Sequence, residues 1–142
     1  MAKAVIEGGA SILRLSQYDH IKSIIKNFPN IITIGLIKQK YCNSDVYITP
    51  TIKEVKKLLK LGVACIALDG TLRKRPKEDL IDLIRYIRKK NNNILIMLDC
   101  SSEDDVLNAN KLDIDLIGTT LRGYTKETLG KSNIENNYEF IR

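Results

Sequence analysis

The sequence contains no long apolar segment, since no hydrophobic run approaches the length of about 18 residues that a membrane-spanning helix needs. Residues 1–10 carry an acid and glycines where a secretion signal would have an apolar core. The three cysteines are odd in number and form no C-x-x-C pair, which argues against a disulfide framework and against a zinc site. These absences predict a reduced, cytoplasmic protein that is neither exported nor inserted in a membrane.

The glycine-rich motifs of nucleotide-binding folds are also missing. Neither G-x-G-x-x-G nor G-x-x-x-x-G-K-[ST] occurs. The main sequence evidence for a dinucleotide-binding protein or a P-loop protein is therefore absent. Candidate metal ligands do not cluster, and the only histidine, His20, falls on a predicted helix away from the strand ends. We therefore expect no metal site.

Positive charge is present in moderate excess. The chain has 23 Lys and Arg against 17 Asp and Glu, a net charge of +6, with an isoelectric point near 9.2. This excess suits phosphate-bearing ligands, nucleic acid or acidic surfaces without choosing among them. A nucleic-acid module could use Arg73, Lys74, Arg75 and the lysines of residues 53–60. No nucleic-acid motif interleaves aromatic residues with these cations, so we interpret them as solvated and expect no nucleic-acid partner.

Short β-branched runs alternate with helical patterns along the whole chain, which predicts parallel βα units in one domain. Five runs are nearly all apolar, as strands buried on both faces should be: residues 10–14, 31–38, 64–69, 94–99 and 116–120. Four segments space Ile, Val and Leu by three and four residues with charges opposite: 18–27, 53–60, 78–90 and 103–111. The sequence therefore predicts an α/β fold with five strands and four covering helices.

Helix start and stop signals agree with this pattern. Thr51 followed three residues later by Glu54 is a capping box, and Gly62 ends the helix that Thr51 begins. Serines followed by acids at residues 101–105 mark a second helix start. Residues 1–7, followed by two glycines, indicate the end of a further helix.

Parallel strands with helices between them fit two architectures, the open doubly wound sheet and the closed eightfold barrel. Strand periodicity alone does not separate the two. Each predicted strand ends in a polar residue, and the five are Arg14, Lys38, Asp69, Asp99 and Thr120. One polar strand end is commonplace, but five together favour a shared pocket at the carboxyl ends of a barrel. Lys38 ends so apolar a strand that we expect its amine to be partly desolvated.

Four ordered segments make the sequence specific enough for a family comparison. They are IGLIK at 34–38, VYITPT at 46–51, ALDGT at 67–71 with RKRP at 73–76, and GTTLRGYT at 118–125. Together they closely resemble the N-acetylmannosamine-6-phosphate 2-epimerase family over nearly the whole chain. The resemblance implies a phosphate-binding TIM barrel that interconverts N-acetylmannosamine 6-phosphate and N-acetylglucosamine 6-phosphate in sialic acid catabolism. It also implies chemistry without a redox cofactor or a nucleotide.

The same resemblance implies roles for individual residues. Lys38 matches the family's catalytic lysine, which removes the proton from C2 of the substrate and allows its return on the other face. Substrate-binding roles are implied for Arg14, Asp69, Asp99, Thr119 and Thr120. An enolising carbonyl needs positioned donors for its developing oxyanion, and an arginine is a suitable donor.

Some positions depart from the family pattern. Residues 14–17 read RLSQ in place of arginine-alanine-asparagine-glycine, residues 98–101 read LDCS in place of alanine-aspartate-isoleucine-serine, and Gly70 stands in place of alanine. No counterpart is found for the family's second catalytic residue, a glutamate on the seventh strand. These departures fall on the substrate side of the pocket.

A full barrel typically has at least about 200 residues, with its phosphate site after strands seven and eight. We therefore expect residues 1–142 to form a partial (β/α)8 barrel that lacks the first strand and the last two units, and that is inactive or incomplete as an epimerase by itself. The alternative is a degenerate, non-catalytic barrel piece that assembles with another chain. Either reading predicts an oligomer or a complementing chain that covers the open sheet edges.

Overall fold

The computed structural model describes residues 2–141, so Met1 and Arg142, the two ends of the predicted domain, lie outside the described residues. Five strands are present: β1 (Ile12–Ser16), β2 (Ile32–Leu36), β3 (Cys65–Asp69), β4 (Leu95–Asp99) and β5 (Leu116–Gly118). The helices that alternate with them are α1 (Ala2–Glu7), α2 (Tyr18–Asn27), α3 (Ile52–Leu61), α4 (Leu80–Lys90) and α5 (Glu103–Ala109). Two 3-10 segments follow, Lys126–Thr128 and Glu135–Ile141. The predicted alternation is confirmed.

The five strands form one parallel sheet in the order β1-β2-β3-β4-β5. A doubly wound sheet would reverse its strand order at a switch point, and this sheet does not. Asp69 lies opposite Asp99 in the register between β3 and β4, so both acids end their strands at the same edge. The strand order therefore favours the barrel over the open sheet.

The two faces of the sheet are packed differently. The helix-facing side chains join the helices in the main core, whose fully buried members include Val55, Leu58, Ile66, Leu68, Leu83, Ile87, Ile96 and Leu98. The opposite face carries a smaller cluster of Leu36, Ile48, Ala67 and Leu121. Among the described residues, helices thus cover one face only, and Arg14, Asp69 and Asp99 lie on the other. None of the helices between residues 2 and 141 is long and apolar enough to span a membrane.

An ion pair spans the helix-free face of the sheet. Nη2 of Arg14 on β1 lies 2.6 Å from Oδ2 of Asp99 on β4, across the two intervening strands β2 and β3. In a flat sheet these strands would be about 14 Å apart, three interstrand spacings of about 4.8 Å. The contact fits a sheet whose helix-free face is concave, as in a section of a barrel wall.

The predicted capping box of α3 is present, and the predicted start of α5 proves to be a second capping box. The Thr51 side chain caps α3 and Glu54 returns the bond, while Gly62 ends the helix with a left-handed φ of 70°. In α5 the N-cap is Ser102 and the returning acid is Asp105. These local signals were readable from the sequence because a cap depends on residues within one turn of each other.

Asp105 does more than cap its own helix. Its carboxylate accepts hydrogen bonds from the backbone N–H groups of Leu72, Ser101 and Ser102 and from the Ser101 hydroxyl. Burial alone would raise the pKa of Asp105, but these hydrogen bonds outweigh it and hold the pKa below the ordinary 3.8. The acid therefore ties the loop after β3 to the start of α5.

We expect Asp105→Ala to lower the free energy of unfolding by about 3 kcal/mol, since buried donors to a charged acceptor lose their partner. Because folding depresses this pKa, the stabilisation exists above pH 3.8 and fades as the pH falls further. Urea unfolding at pH 7 and pH 3 measures both effects, and the difference between wild type and variant should shrink at pH 3. Asp104→Ala, at an exposed neighbour, should cost less than about 1 kcal/mol. Equal losses in the two variants would contradict this account.

Candidate active site

Three of the sequence-predicted site residues contact one another on the concave face. Asp99 is fully buried, and it accepts a hydrogen bond from Nη2 of Arg14 at 2.6 Å and another from the Thr120 hydroxyl at 2.7 Å. Arg14 lies within β1, not at its end as predicted, because the strand continues to Ser16. One carboxylate thus orients a guanidinium and a hydroxyl that come from distant parts of the chain.

Lys38 follows β2 by two residues, and its backbone is held from two sides. The Gln17 side chain bonds both the N–H and the C=O of Lys38, and Lys38 also forms an antiparallel bridge with Ile48. Among the described residues, no hydrogen bond or ion pair holds the amine. The predicted desolvation of the amine is wrong for this structure, because the lysine is exposed on the open concave side.

A cavity of about 400 Å³ joins these groups: Arg14, Lys38 and Thr120 line it together. Tyr47 and Tyr124 also line this cavity, and both extend into a neighbouring one of about 780 Å³ that contains Lys40 and Lys126. A flexible amine, a guanidinium and a hydroxyl therefore face one space. Such a set can bind a polyhydroxylated anion and move a proton at its surface.

Asp69 is completely buried beside this cavity but has a different set of partners. Its carboxylate accepts bonds from the Thr71 hydroxyl at 2.6 Å, from the Thr71 N–H at 3.1 Å and from Nη2 of Arg73 at 2.8 Å. Burial raises the pKa of Asp69, while the Thr71 hydroxyl and the Arg73 charge oppose that rise. Asp69 thus organises the loop after β3, because its carboxylate forms these hydrogen bonds with residues of that loop.

The basic run after β3 is mostly turned inward. Arg73 pairs with Asp69, and Arg75 is only 6% exposed. Arg75 donates hydrogen bonds to the carbonyl oxygens of Asp69 and Thr49. Our interpretation of this run as solvated is therefore wrong for both arginines. Two of the three cations in this run therefore bind protein groups instead of a nucleic acid.

Thr119 is not brought into the cavity network with Thr120. Its carbonyl oxygen accepts hydrogen bonds from the backbone N–H of Arg122 and from the side chain of Asn133. Cys100 is buried, and burial raises the pKa of its thiol to about 12, which keeps it protonated. Within residues 2–141, no group of three or more His, Cys, Asp or Glu side chains is placed to hold a metal ion.

Sequence reasoning did not identify three residues around the site, Gln17, Tyr47 and Thr49. Tyr47 and Thr49 lie in the VYITPT segment. The part that this segment plays in the site depends on its antiparallel pairing with Lys38, which the sequence alone does not show. Packing is tight at Gly70, one of the positions that depart from the family pattern: a Cβ there would lie 2.8 Å from Cβ of Leu98. A side chain there would force the backbone next to Asp69 to shift.

Comparison with known proteins agrees with the geometry. A family model described as "Putative N-acetylmannosamine-6-phosphate epimerase" matches residues 1–142. Relatives named "Putative N-acetylmannosamine-6-phosphate 2-epimerase" include one from Malacoplasma penetrans, 61% identical over this whole chain and 62% of its own length. Another, from Staphylococcus carnosus, is 44% identical over this whole chain and 63% of its own.

A solved structure shows the same fold. The N-acetylmannosamine-6-phosphate 2-epimerase from Clostridium perfringens superposes with a TM-score of 0.86 at 40% identity, over 92% of this chain and 56% of its own. The predicted barrel-type α/β fold is thereby confirmed. This chain spans about 62% of the length of the curated relatives it matches. On the family match over its whole length, the chain belongs to the N-acetylmannosamine-6-phosphate epimerase family.

Proposed function

We propose that this chain supplies the proton-transferring side of an epimerase for N-acetylmannosamine 6-phosphate and N-acetylglucosamine 6-phosphate, a step of sialic acid catabolism. The two sugars differ only in the configuration at C2, so the reaction must break and remake the bond between C2 and its hydrogen. The observation that carries the proposal is the cavity shared by Lys38, Arg14 and Thr120. It presents a base, an oxyanion donor and a hydroxyl to one ligand.

The proposed chemistry acts on the open-chain aldehyde. The Lys38 amine takes the proton from C2 and becomes an ammonium, the electron pair of that bond moves toward the carbonyl, and Arg14 stabilises the enolate oxygen. Delivery of a proton to the opposite face of C2 by a second acid gives the epimer, and loss of the Lys38 proton to solvent restores the base. Asp99 keeps Arg14 extended across the concave face, and Thr120 can bond a sugar hydroxyl.

The concave face favours a further proposal about partners. Four of its large apolar side chains are well exposed: Ile12, Ile32, Leu95 and Leu116, at 52, 48, 42 and 41%. They lie on strands at the end opposite the polar site, where a closed barrel would bury them. We infer that another segment or a second chain covers this face when the site works. If no such complex is catalytic, the alternative of a non-catalytic barrel piece is favoured.

The test is exchange of the C2 proton in deuterated buffer, followed by proton NMR on either sugar phosphate. Two samples are compared: the 142-residue chain, and the same residues grafted in place of their counterparts in the Malacoplasma relative. We expect exchange in the graft and at least about 100-fold slower exchange in the chain alone, because a missing acid or base costs about that much. A folded graft without exchange would refute the proposed function. Equal rates would show that the chain alone holds the complete site.

A further inference from the structure

Gln17 occupies a position that its side chain does not suit. It links β1 to α2 with a φ of 73° and a ψ of 138°, a positive-φ conformation that glycine adopts far more readily. It is also the N-cap residue of α2, yet its side chain makes no capping hydrogen bond. Neither the turn nor the helix accounts for a glutamine here.

The Gln17 side chain instead bonds the backbone of Lys38. Its Oε1 accepts from the Lys38 N–H at 3.2 Å, and its Nε2 donates to the Lys38 carbonyl at 3.3 Å. The backbone N–H of Gln17 donates to the carbonyl of Leu36 at 3.0 Å. The side-chain amide therefore acts as one more peptide group, continuing the β1–β2 pairing past its last register pair, Ser16 and Leu36.

Thr49 holds the preceding residue in the same way from the other side. Its N–H donates to the carbonyl of Ile37 at 2.8 Å, and its hydroxyl accepts from the Ile37 N–H at 3.2 Å. Thr49 is fully buried and has a φ of 44°, although it is β-branched and precedes Pro50, and both features disfavour that conformation. The carbonyl of Thr49 is in turn bound by the buried Arg75.

These two residues concentrate backbone strain next to Lys38. Among residues 2–141, the other non-glycine residues with positive φ are the consecutive Asn136, Asn137 and Tyr138 in the tail. Strained conformations persist where surrounding contacts enforce them, and they cluster at functional sites. Here the contacts made by the strained residues fasten both backbone polar groups of Ile37 and of Lys38.

We propose that Gln17 and Thr49 are positioning residues for Lys38, which fix its backbone so that only the side chain moves in the cavity. This inference rests on the proposed function, in which the Lys38 amine exchanges the C2 proton. A lysine stem has four rotatable bonds, so an immobile backbone limits the volume that the amine samples and keeps it near C2. The hydrogen bonds of the Gln17 side chain with Lys38 offset the unfavourable turn conformation of Gln17.

The substitution Gln17→Gly tests the positioning role of Gln17 separately from its effect on stability. Glycine tolerates the observed φ but removes both bonds to Lys38. We expect the urea midpoint to stay the same or rise, while amide hydrogen exchange of Lys38, read by NMR in the 142-residue chain, accelerates at least about tenfold. The Ile37 amide, held by Thr49, should keep its protection. Unchanged protection of Lys38 would overturn the inference.

Gln39→Ala is the matched control. Its side-chain amide bonds the carbonyl of Lys40, and its backbone bond to Tyr47 does not depend on the side chain. Removing it should leave the Lys38 amide protected. Gln17→Glu keeps an acceptor for the Lys38 N–H but places a carboxylate oxygen against the Lys38 carbonyl, so we expect it to restore only part of the protection.

In the grafted barrel, we expect Gln17→Gly to lower kcat for C2 exchange at least about tenfold with KM changed less than about threefold, and Gln17→Glu to recover part of kcat. A residue that only supported the fold would not give this split. Unchanged kcat in Gln17→Gly would overturn the positioning role while leaving the proposed function intact. An inactive wild-type graft would overturn the proposed function and, with it, any catalytic purpose of the contact between Gln17 and Lys38.

Discussion

Replacing Lys38 with arginine in the grafted barrel is expected to slow exchange of the C2 proton by a factor of about 100 to 10,000. Arginine keeps the positive charge, but it stays protonated at neutral pH and cannot take a proton from carbon. The backbone contacts of Lys38 with Gln17 and Ile48 do not involve its side chain, so the fold should be retained. Proton NMR in deuterated buffer measures the rate directly.

Lys40→Arg provides the control for charge and location. Lys40 is an exposed lysine two residues further along, and it lines the neighbouring cavity without lining the one that holds Arg14 and Thr120. We expect exchange in Lys40→Arg to stay within about twofold of the wild-type rate. Undiminished exchange in Lys38→Arg would mean that another group is the base, and Asp69 or Asp99 would be examined next.

Asp99→Asn is expected to lower kcat/KM of the grafted barrel by about 100-fold. The substitution keeps the shape of the side chain but removes the charge that holds Arg14 across the concave face. A hydrogen bond to a charged group is worth about 1.5–3 kcal/mol, and about 1.4 kcal/mol corresponds to a factor of ten. The main effect should be on the stabilisation of the enolate oxygen, because Arg14 loses its orientation.

A second ion pair allows a matched comparison. Arg88 pairs with Asp113 at the opposite end of the sheet, and the Asp113 side chain is 75% exposed. Asp113→Asn removes a charge of the same kind without touching the cavity, so kcat/KM should remain near the wild-type value. If Asp99→Asn folds normally and keeps full kcat/KM, then Asp99 does not position Arg14 for the reaction.

Local chemistry made most of the fold readable from the sequence. The β-branched runs located all five strands, and the capping pair Thr51 and Glu54 and the stop at Gly62 located α3, because each signal acts within a few residues. The ordered motifs also sufficed to indicate the family, since they depend on the sequence alone. Strand ends were less accurate: β1 continues past Arg14 because backbone pairing with β2 decides where a strand stops.

The site itself was decided by tertiary structure. Curvature of the sheet brings Arg14 to Asp99, 85 residues away, and no local pattern encodes that curvature. Burial likewise depends on what covers a residue, so Lys38 is exposed whereas Arg75, in a run of cations, is buried. Gln17 shows the limit most clearly, since turn and cap preferences disfavour glutamine there. Only its contact with Lys38, 21 residues further along, gives that glutamine a physical reason.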